Sequence, residues 1–170
     1  MYVLKLILLS IIFCTSTIIG ILISKKYSNR VHILKDLKKA LNIFEVKINY
    51  SLETIPEIFN EISNKIKGPA GNIFANTVFN INKGMLAGEA WEQAVVSNST
   101  ELNQEDINSI KTLGKLLGST DIEGQINQIE LVKEFINTQI NEAIETKNKN
   151  AKMYQKLGAI VGLVIVIILI

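Results

Sequence analysis

Hydrophobic residues are concentrated at the two ends of the chain, where almost no charge interrupts them. Residues 1–23 carry Lys5 as their single charged side chain, and residues 157–170 carry none. A helix that crosses a hydrocarbon core about 30 Å thick needs roughly 20 apolar residues. The first segment meets this length. The second has 14 residues, which extend to 18 if Met153 and Tyr154 lie at the interface and the Lys156 amine extends toward water. The pattern predicts one transmembrane helix at each end.

A cleaved signal peptide is the alternative for residues 1–23, with Lys5 as its basic region. No small-x-small cleavage site follows the apolar run, which continues to Ile23, beyond a usual signal core. Cys14 suggests a lipoprotein, but Phe13 stands where lipid attachment requires a small residue. The sequence therefore favours an uncleaved anchor.

Between the ends, apolar residues recur at spacings of three and four, which is typical of amphipathic helices. The first stripe covers Val31 to Tyr50, and the last begins at Asp121 with no Gly or Pro from Gln125 to Leu157. Capping boxes at Thr54/Glu57 and Thr120/Glu123, and the Gly68-Pro69 pair, separate helices. We predict an all-α fold, an antiparallel bundle of about six helices, over residues 24–156. Its last helix is expected to continue into residues 157–170, and Trp91 is expected in the core.

The positions of the basic residues predict the orientation in the membrane. Ten of them flank the middle domain: Lys25, Lys26, Arg30, Lys35, Lys38, Lys39, Lys147, Lys149, Lys152 and Lys156. Basic residues within about 15–20 positions of a membrane segment stay cytoplasmic. The sequence therefore predicts a cytosolic middle domain with both termini on the opposite side. The net charge of +2 is too small to indicate a nucleic-acid partner.

The residue types required for most enzymatic sites are missing. The chain has one Cys, one His (His32, in a basic stretch) and no Gly-x-x-x-x-Gly-Lys-Ser/Thr loop for nucleotide phosphates. The carboxylate pairs Glu57/Glu61 and Glu130/Glu134 have no histidine or Gly-rich turn beside them and are interpreted as solvated helix faces. We predict no catalytic residue, no cofactor and no metal site.

Small residues recur at spacings of four in both apolar segments. Gly158 and Gly162 form a G-x-x-x-G pattern, and Ser16 and Gly20 form a weaker counterpart. Such patterns allow helix backbones to approach closely in lipid, although they also arise by chance. These four residues are the candidates for membrane helix packing.

Four stretches resemble the stage III sporulation protein AB family of endospore-forming bacteria. They are residues 40–57, with the TIPE turn; EAWEQA at 89–94; LGKLLGSTD at 113–121, with Gln125; and KMYQKLG at 152–158. Two departures stand out. Lys47 occupies a position where the family favours Glu, and Thr120 separates a Ser–Asp pair that the family keeps adjacent.

The resemblance implies a non-enzymatic membrane platform of a secretion-like sporulation complex, at the septum between mother cell and forespore. Its members look like a reduced form of the inner-membrane platform of type II secretion and type IV pilus machines. The implied location is the mother-cell membrane around the forespore. The implied partner is a cytosolic secretion-type ATPase, stage III sporulation protein AA, together with other members of the septal complex. The sequence leaves homo-oligomerisation open, and the alternative function is a small oligomeric channel or transporter subunit.

The loop from Gly118 to Gln125 is the candidate partner contact, through Gly118, Ser119, Asp121 and Gln125. The structural alternative is that Gly118 is a left-handed helix cap and Asp121 an acid that compensates the helix dipole. The sequence does not decide between them.

Overall fold

The fold is all-α, as the sequence predicts. The computed structural model describes residues 2–117 and 122–169, and within these ranges it contains helices and no strand. The helices are α1 (Tyr2–Tyr50), α2 (Ile55–Lys65), α3 (Pro69–Asn82), α4 (Ala87–Asn98), α5 (Gln104–Lys111), a 3-10 helix (Thr112–Leu116) and α6 (Ile122–Leu169).

The two longest helices each contain an apolar end segment and a stripe of the middle domain. Helix α1 has 49 residues and joins the first apolar segment to the stripe that begins at Val31, which the sequence treats as separate elements. No proline, which would break the hydrogen-bond ladder, occurs in it. Helix α6 has 48 residues and runs from Ile122 to Leu169.

The chain forms two compact units. One contains α1 up to residue 31 and α6 from residue 142, and the other contains residues 32–141. The candidate packing residues fall in the first unit, and the helical bundle falls in the second.

Local side-chain chemistry begins the short helices where the sequence predicts. The Thr54 N–H donates to the Glu57 Oε2 at 2.7 Å, and Pro56 lies in the first turn, where its missing N–H is not needed. At α5 the Asp106 N–H donates to the Asn103 Oδ1 at 2.7 Å, and the Asn103 N–H donates to the Asp106 Oδ2 at 3.0 Å. These reciprocal bonds satisfy backbone donors that helix ends otherwise leave unpaired.

Helix α5 ends at Lys111, and the chain continues directly into the 3-10 helix. Gly114 in this segment lies against Gly88 of α4, so that a Cβ on Gly88 would lie 2.4 Å from the Gly114 carbonyl oxygen. This backbone contact joins residues far apart in the chain. Periodicity along one segment therefore could not predict the change of helix type.

Four aromatic rings form the centre of the core of the second unit. Phe59 lies 5.0 Å from Phe44, 5.0 Å from Phe74 and 5.6 Å from Trp91, measured between ring centroids. All four are buried, and the Trp91 Nε1–H donates to the Ile110 carbonyl oxygen at 2.8 Å. Trp91 thus links α4 to α5 through both packing and a buried hydrogen bond.

Candidate membrane helix packing site

The apolar ends of α1 and α6 can each cross a membrane by length and composition. The most apolar 18-residue stretches of the helices over Val3–Tyr50 and Glu123–Leu169 have mean hydropathies of 2.7 and 1.8. Only 12% of the first stretch and 6% of the second are buried within the protein. Their outward side chains, such as Ile7, Leu22 and Ile168, are large and apolar, which suits contact with lipid.

The structure brings Gly20 and Gly158 into direct backbone contact. A Cβ on Gly158 would lie 2.8 Å from the Gly20 Cα and 2.9 Å from the Ser16 carbonyl oxygen. A Cβ on Gly20 would lie 2.7 Å from the Tyr154 carbonyl oxygen. Real side chains do not occupy such distances, so the two helices approach this closely only because both positions are glycine.

Ser16 and Gly162 extend the same contact by one helical turn. The Ser16 Oγ–H donates to the Gly158 carbonyl oxygen at 2.7 Å. A Cβ on Gly162 would lie 3.1 Å from the Ser16 Cβ and 3.3 Å from the Phe13 Cδ2. All four candidate packing residues therefore lie at one crossing of α1 and α6, and the neighbour of each glycine is the other helix of the same chain.

Two further contacts join α1 and α6 in the same unit, and neither is predicted by the spacing of small residues. Tyr27 and Tyr154 stack with ring centroids 5.8 Å apart and an interplanar angle of 15°. The Arg30 Nη1–H donates to the Glu142 Oε1 at 3.3 Å. The pKa of the Tyr27 hydroxyl is raised because neighbouring groups displace water from it and because it hydrogen-bonds Tyr154.

A sequence signal for the tyrosine pair does exist. Tyrosine is enriched where a helix leaves the membrane, because its apolar ring contacts lipid while its hydroxyl hydrogen-bonds water. Tyr27 follows the first apolar segment closely, and Tyr154 precedes the second. Their pairing, in contrast, depends on the register between two distant helices.

Most of the candidate partner-contact loop lies outside the described residues. Gly118, Ser119 and Asp121 belong to this part of the chain. Gln125 is described, lies on α6 and is half-buried. It borders a small apolar crevice lined by Phe44, Leu113, Leu117 and Ile129. The role of this loop in binding a partner stays a prediction.

Lys47, the departure from the family pattern, lies in a cluster of charges at the end of α1. Its Nζ is 2.8 Å from the Glu53 Oε1 and 2.7 Å from the Glu61 Oε2, and the Lys65 Nζ is 2.7 Å from the Glu61 Oε1. Hydrogen bonds to Glu53 and Glu61 raise the pKa of Lys47. Hydrogen bonds from Lys47 and Lys65 lower the pKa of Glu61. The ion pairs of Lys47 therefore connect α1 to the α1–α2 turn and to α2.

The carboxylates that occur as pairs in the sequence lie at a helix cap or beside lysines in the structure. Glu57 accepts hydrogen bonds from the backbone N–H and the hydroxyl of Thr54, which lower the pKa of its carboxyl. Glu130 and Glu134 line an open groove of α6 beside Lys38 and Lys133. Among the described residues no group of three His, Cys, Asp or Glu side chains could hold a metal ion.

Comparisons with known proteins identify the family. The family model of stage III sporulation protein AB matches residues 5–170. Stage III sporulation protein AB of Bacillus subtilis (strain 168) is 27% identical over 169 residues, which are 98% of this chain and 99% of the relative. A solved structure of stage III sporulation protein AB (SpoIIIAB) has the same fold, with a TM-score of 0.66 and 22% identity over 71% of this chain and 98% of that one. The chain belongs to the stage III sporulation protein AB family.

Proposed function

We propose that this protein is a non-enzymatic membrane platform of a secretion-like sporulation complex at the septum between mother cell and forespore. Its helical domain lies in the cytosol of the mother cell, where it engages a cytosolic secretion-type ATPase, stage III sporulation protein AA, and other members of the complex. Family membership supports the role in sporulation. The platform role rests on one observation, the backbone contact between the two apolar helices at Gly20 and Gly158.

This contact has a mechanical consequence for a platform. Two independent anchors would leave the ends of α1 and α6 free to separate in the bilayer, since lipid tails are as apolar as the helices. The contact between the two glycines and the Ser16 hydrogen bond join these helix ends into one packed pair. A domain carried by a joined pair of helices can transmit force from an ATPase to the membrane.

Hydrogen bonding in the first apolar segment supports a platform over a channel. The hydroxyls of Ser10, Thr15 and Thr17 donate to the carbonyl oxygens of Ile7, Ile11 and Phe13 in their own helix. The Ser16 hydroxyl donates to α6. The hydroxyl groups of these side chains thus already donate hydrogen bonds within the helix pair, which leaves them poorly suited to line a path for ions or solutes.

The orientation gives a first test. We expect a cysteine at exposed Thr100, in a Cys14→Ser background, to escape an impermeant maleimide in intact cells, because the flanking basic residues keep the domain cytosolic. Permeabilised cells serve as the control and should label fully. Labelling of Thr100→Cys in intact cells would place the domain on the other side of the membrane and contradict the platform model.

Capture of the ATPase tests the partner. We expect the full-length chain, tagged and extracted with mild detergent from sporulating cells, to retain stage III sporulation protein AA. The chain carries no phosphate-binding loop, so any ATP hydrolysis in the preparation should disappear when the ATPase is removed. A preparation that never contains the ATPase, or one that hydrolyses ATP without it, would overturn the proposal.

A further inference from the structure

The outward face of α1 in the second unit is basic and partly apolar. Lys35, Lys39, Asn42 and Val46 are exposed and recur at spacings of four, three and four, which aligns them in one stripe along the helix. Val46 is a large apolar residue with 57% of its surface exposed. Asp36 lies at the margin of the stripe and is bonded to Lys39 at 3.0 Å.

The outward face of α6 in the same unit is acidic and partly apolar. Glu130, Leu131, Glu134, Phe135 and Thr138 are exposed at neighbouring positions of the helix surface. Leu131 and Phe135 are 47% and 48% exposed, and the two glutamates flank them. The core-facing residues Ile129, Val132 and Ile136 lie on the opposite side of the helix.

Two side-chain contacts fix the register of these stripes. The Lys38 Nζ donates to the Asn137 Oδ1 at 2.7 Å, and Lys133 pairs with Glu45. The helices are therefore antiparallel neighbours, so that each step forward along α1 faces a step backward along α6. Val46 thus lies level with Leu131, and Lys39 lies within one turn of Glu134.

We propose that these two stripes form an interface between two copies of this chain in one membrane. A two-fold axis parallel to the helices brings α1 of one copy opposite α6 of the other, and it keeps each residue at its own height. Val46 then meets Leu131 of the second copy, and Lys39 meets Glu134. The symmetry makes each contact twice, so the opposite charges and exposed apolar residues of both stripes are covered together.

The choice of a second copy rests on complementarity within one chain. One stripe is basic and the other acidic, and the apolar residues in both occur at the same height. Two copies anchored in one bilayer by the same two end segments have the same orientation relative to the membrane, so their stripes lie at matching heights. The inference assumes the membrane anchoring proposed above, and it requires no partner of another kind.

Cysteine crosslinking of two differently tagged full-length chains tests the interface. One copy carries Val46→Cys and the other Leu131→Cys, both in the Cys14→Ser background, in native membranes under mild oxidation. We expect a disulfide-linked product that carries both tags. The matched control replaces Val46→Cys by Asn76→Cys, an exposed position on α3, and should give no such product.

Charge reversal distinguishes this interface from random collision. We expect Lys39→Glu, or Glu134→Lys, to reduce the crosslinked product about tenfold, since two symmetric ion pairs become two repulsive pairs. Both reversals in the same chain should restore the product, because each reversed residue again meets an opposite charge.

The outcomes separate this inference from the platform function. Membrane fractionation verifies that each variant is anchored, so a failure of anchoring is recognised on its own. Membrane-bound chains that give no Val46–Leu131 product, that crosslink equally through Asn76, or that fail to recover with both reversals would overturn the proposed interface. None of these results would bear on capture of the ATPase.

Discussion

Replacing Gly158 by leucine should separate the two membrane helices and impair sporulation, while the chain still inserts into the membrane. The Cβ alone would lie 2.8 Å from the Gly20 Cα, and backbone atoms cannot rotate away as a side chain can. Forcing atoms into a well-packed contact costs about 1–3 kcal/mol, and the close packing that favours helix association in lipid is also lost. Leucine is more apolar than glycine, so partitioning into the bilayer is preserved. Gly162→Leu should act in the same direction, because its Cβ would lie 3.1 Å from the Ser16 Cβ.

The separation can be measured apart from the phenotype. Cysteines in place of Tyr27 and Tyr154, whose ring centroids lie 5.8 Å apart, should form an intrachain disulfide in a Cys14→Ser background. We expect Gly158→Leu to reduce this disulfide about tenfold, as a loss of about 1.4 kcal/mol implies. Spore counts and membrane fractionation are then recorded for the same substitutions in chains that retain both tyrosines.

Val161→Leu provides the matched control, because Val161 lies in the same segment and is 49% exposed. It should leave the disulfide and the spore count unchanged. Normal spores from a chain with both Gly158→Leu and Gly162→Leu would show that the glycines are a chance feature of composition. The second segment would then act as a tether only.

Trp91→Ala should remove a large part of the stability of the helical domain. We expect a fragment of residues 28–150 to be soluble and mostly helical, because its helices have apolar stripes and polar backs. Truncating a buried aromatic residue costs about 3–5 kcal/mol, against a total stability of about 5–15 kcal/mol for a domain. Trp91 contacts the rings of Phe59 and Phe74, so its loss opens a cavity at the centre of the core.

Two companion variants separate packing from hydrogen bonding and from surface effects. Trp91→Phe retains an aromatic ring but removes the indole N–H that donates to the buried Ile110 carbonyl oxygen, and should cost about 1–3 kcal/mol. Phe79→Ala removes an aromatic residue that is 56% exposed and lies under the Lys83 amine, and should cost less than about 1 kcal/mol. Urea denaturation followed by circular dichroism gives the free energies of unfolding. Equal costs for Trp91→Ala and Phe79→Ala would contradict the placement of Trp91 at the core.

Local features of the sequence determined the helices and most of their limits. Apolar spacing predicted the amphipathic stripes, and the capping pair Thr54/Glu57 predicted where α2 begins, because these signals act within one or two turns. The same holds for the two apolar ends, whose length and lack of charge can be read directly. Small residues at Ser16, Gly20, Gly158 and Gly162 indicated which positions allow close approach.

Only the tertiary structure decided what these positions contact. A small residue permits a neighbouring backbone but carries no information about which helix supplies it, and here each apolar segment packs against the other. Gly114 of the 3-10 helix lies against Gly88 of α4, and Lys47 forms ion pairs with Glu53 and Glu61, which lie beyond the end of its helix. In each case the determining contact joins residues separated by a turn or by several helices. Such contacts depend on the register of packed elements, and no pattern within one segment specifies that register.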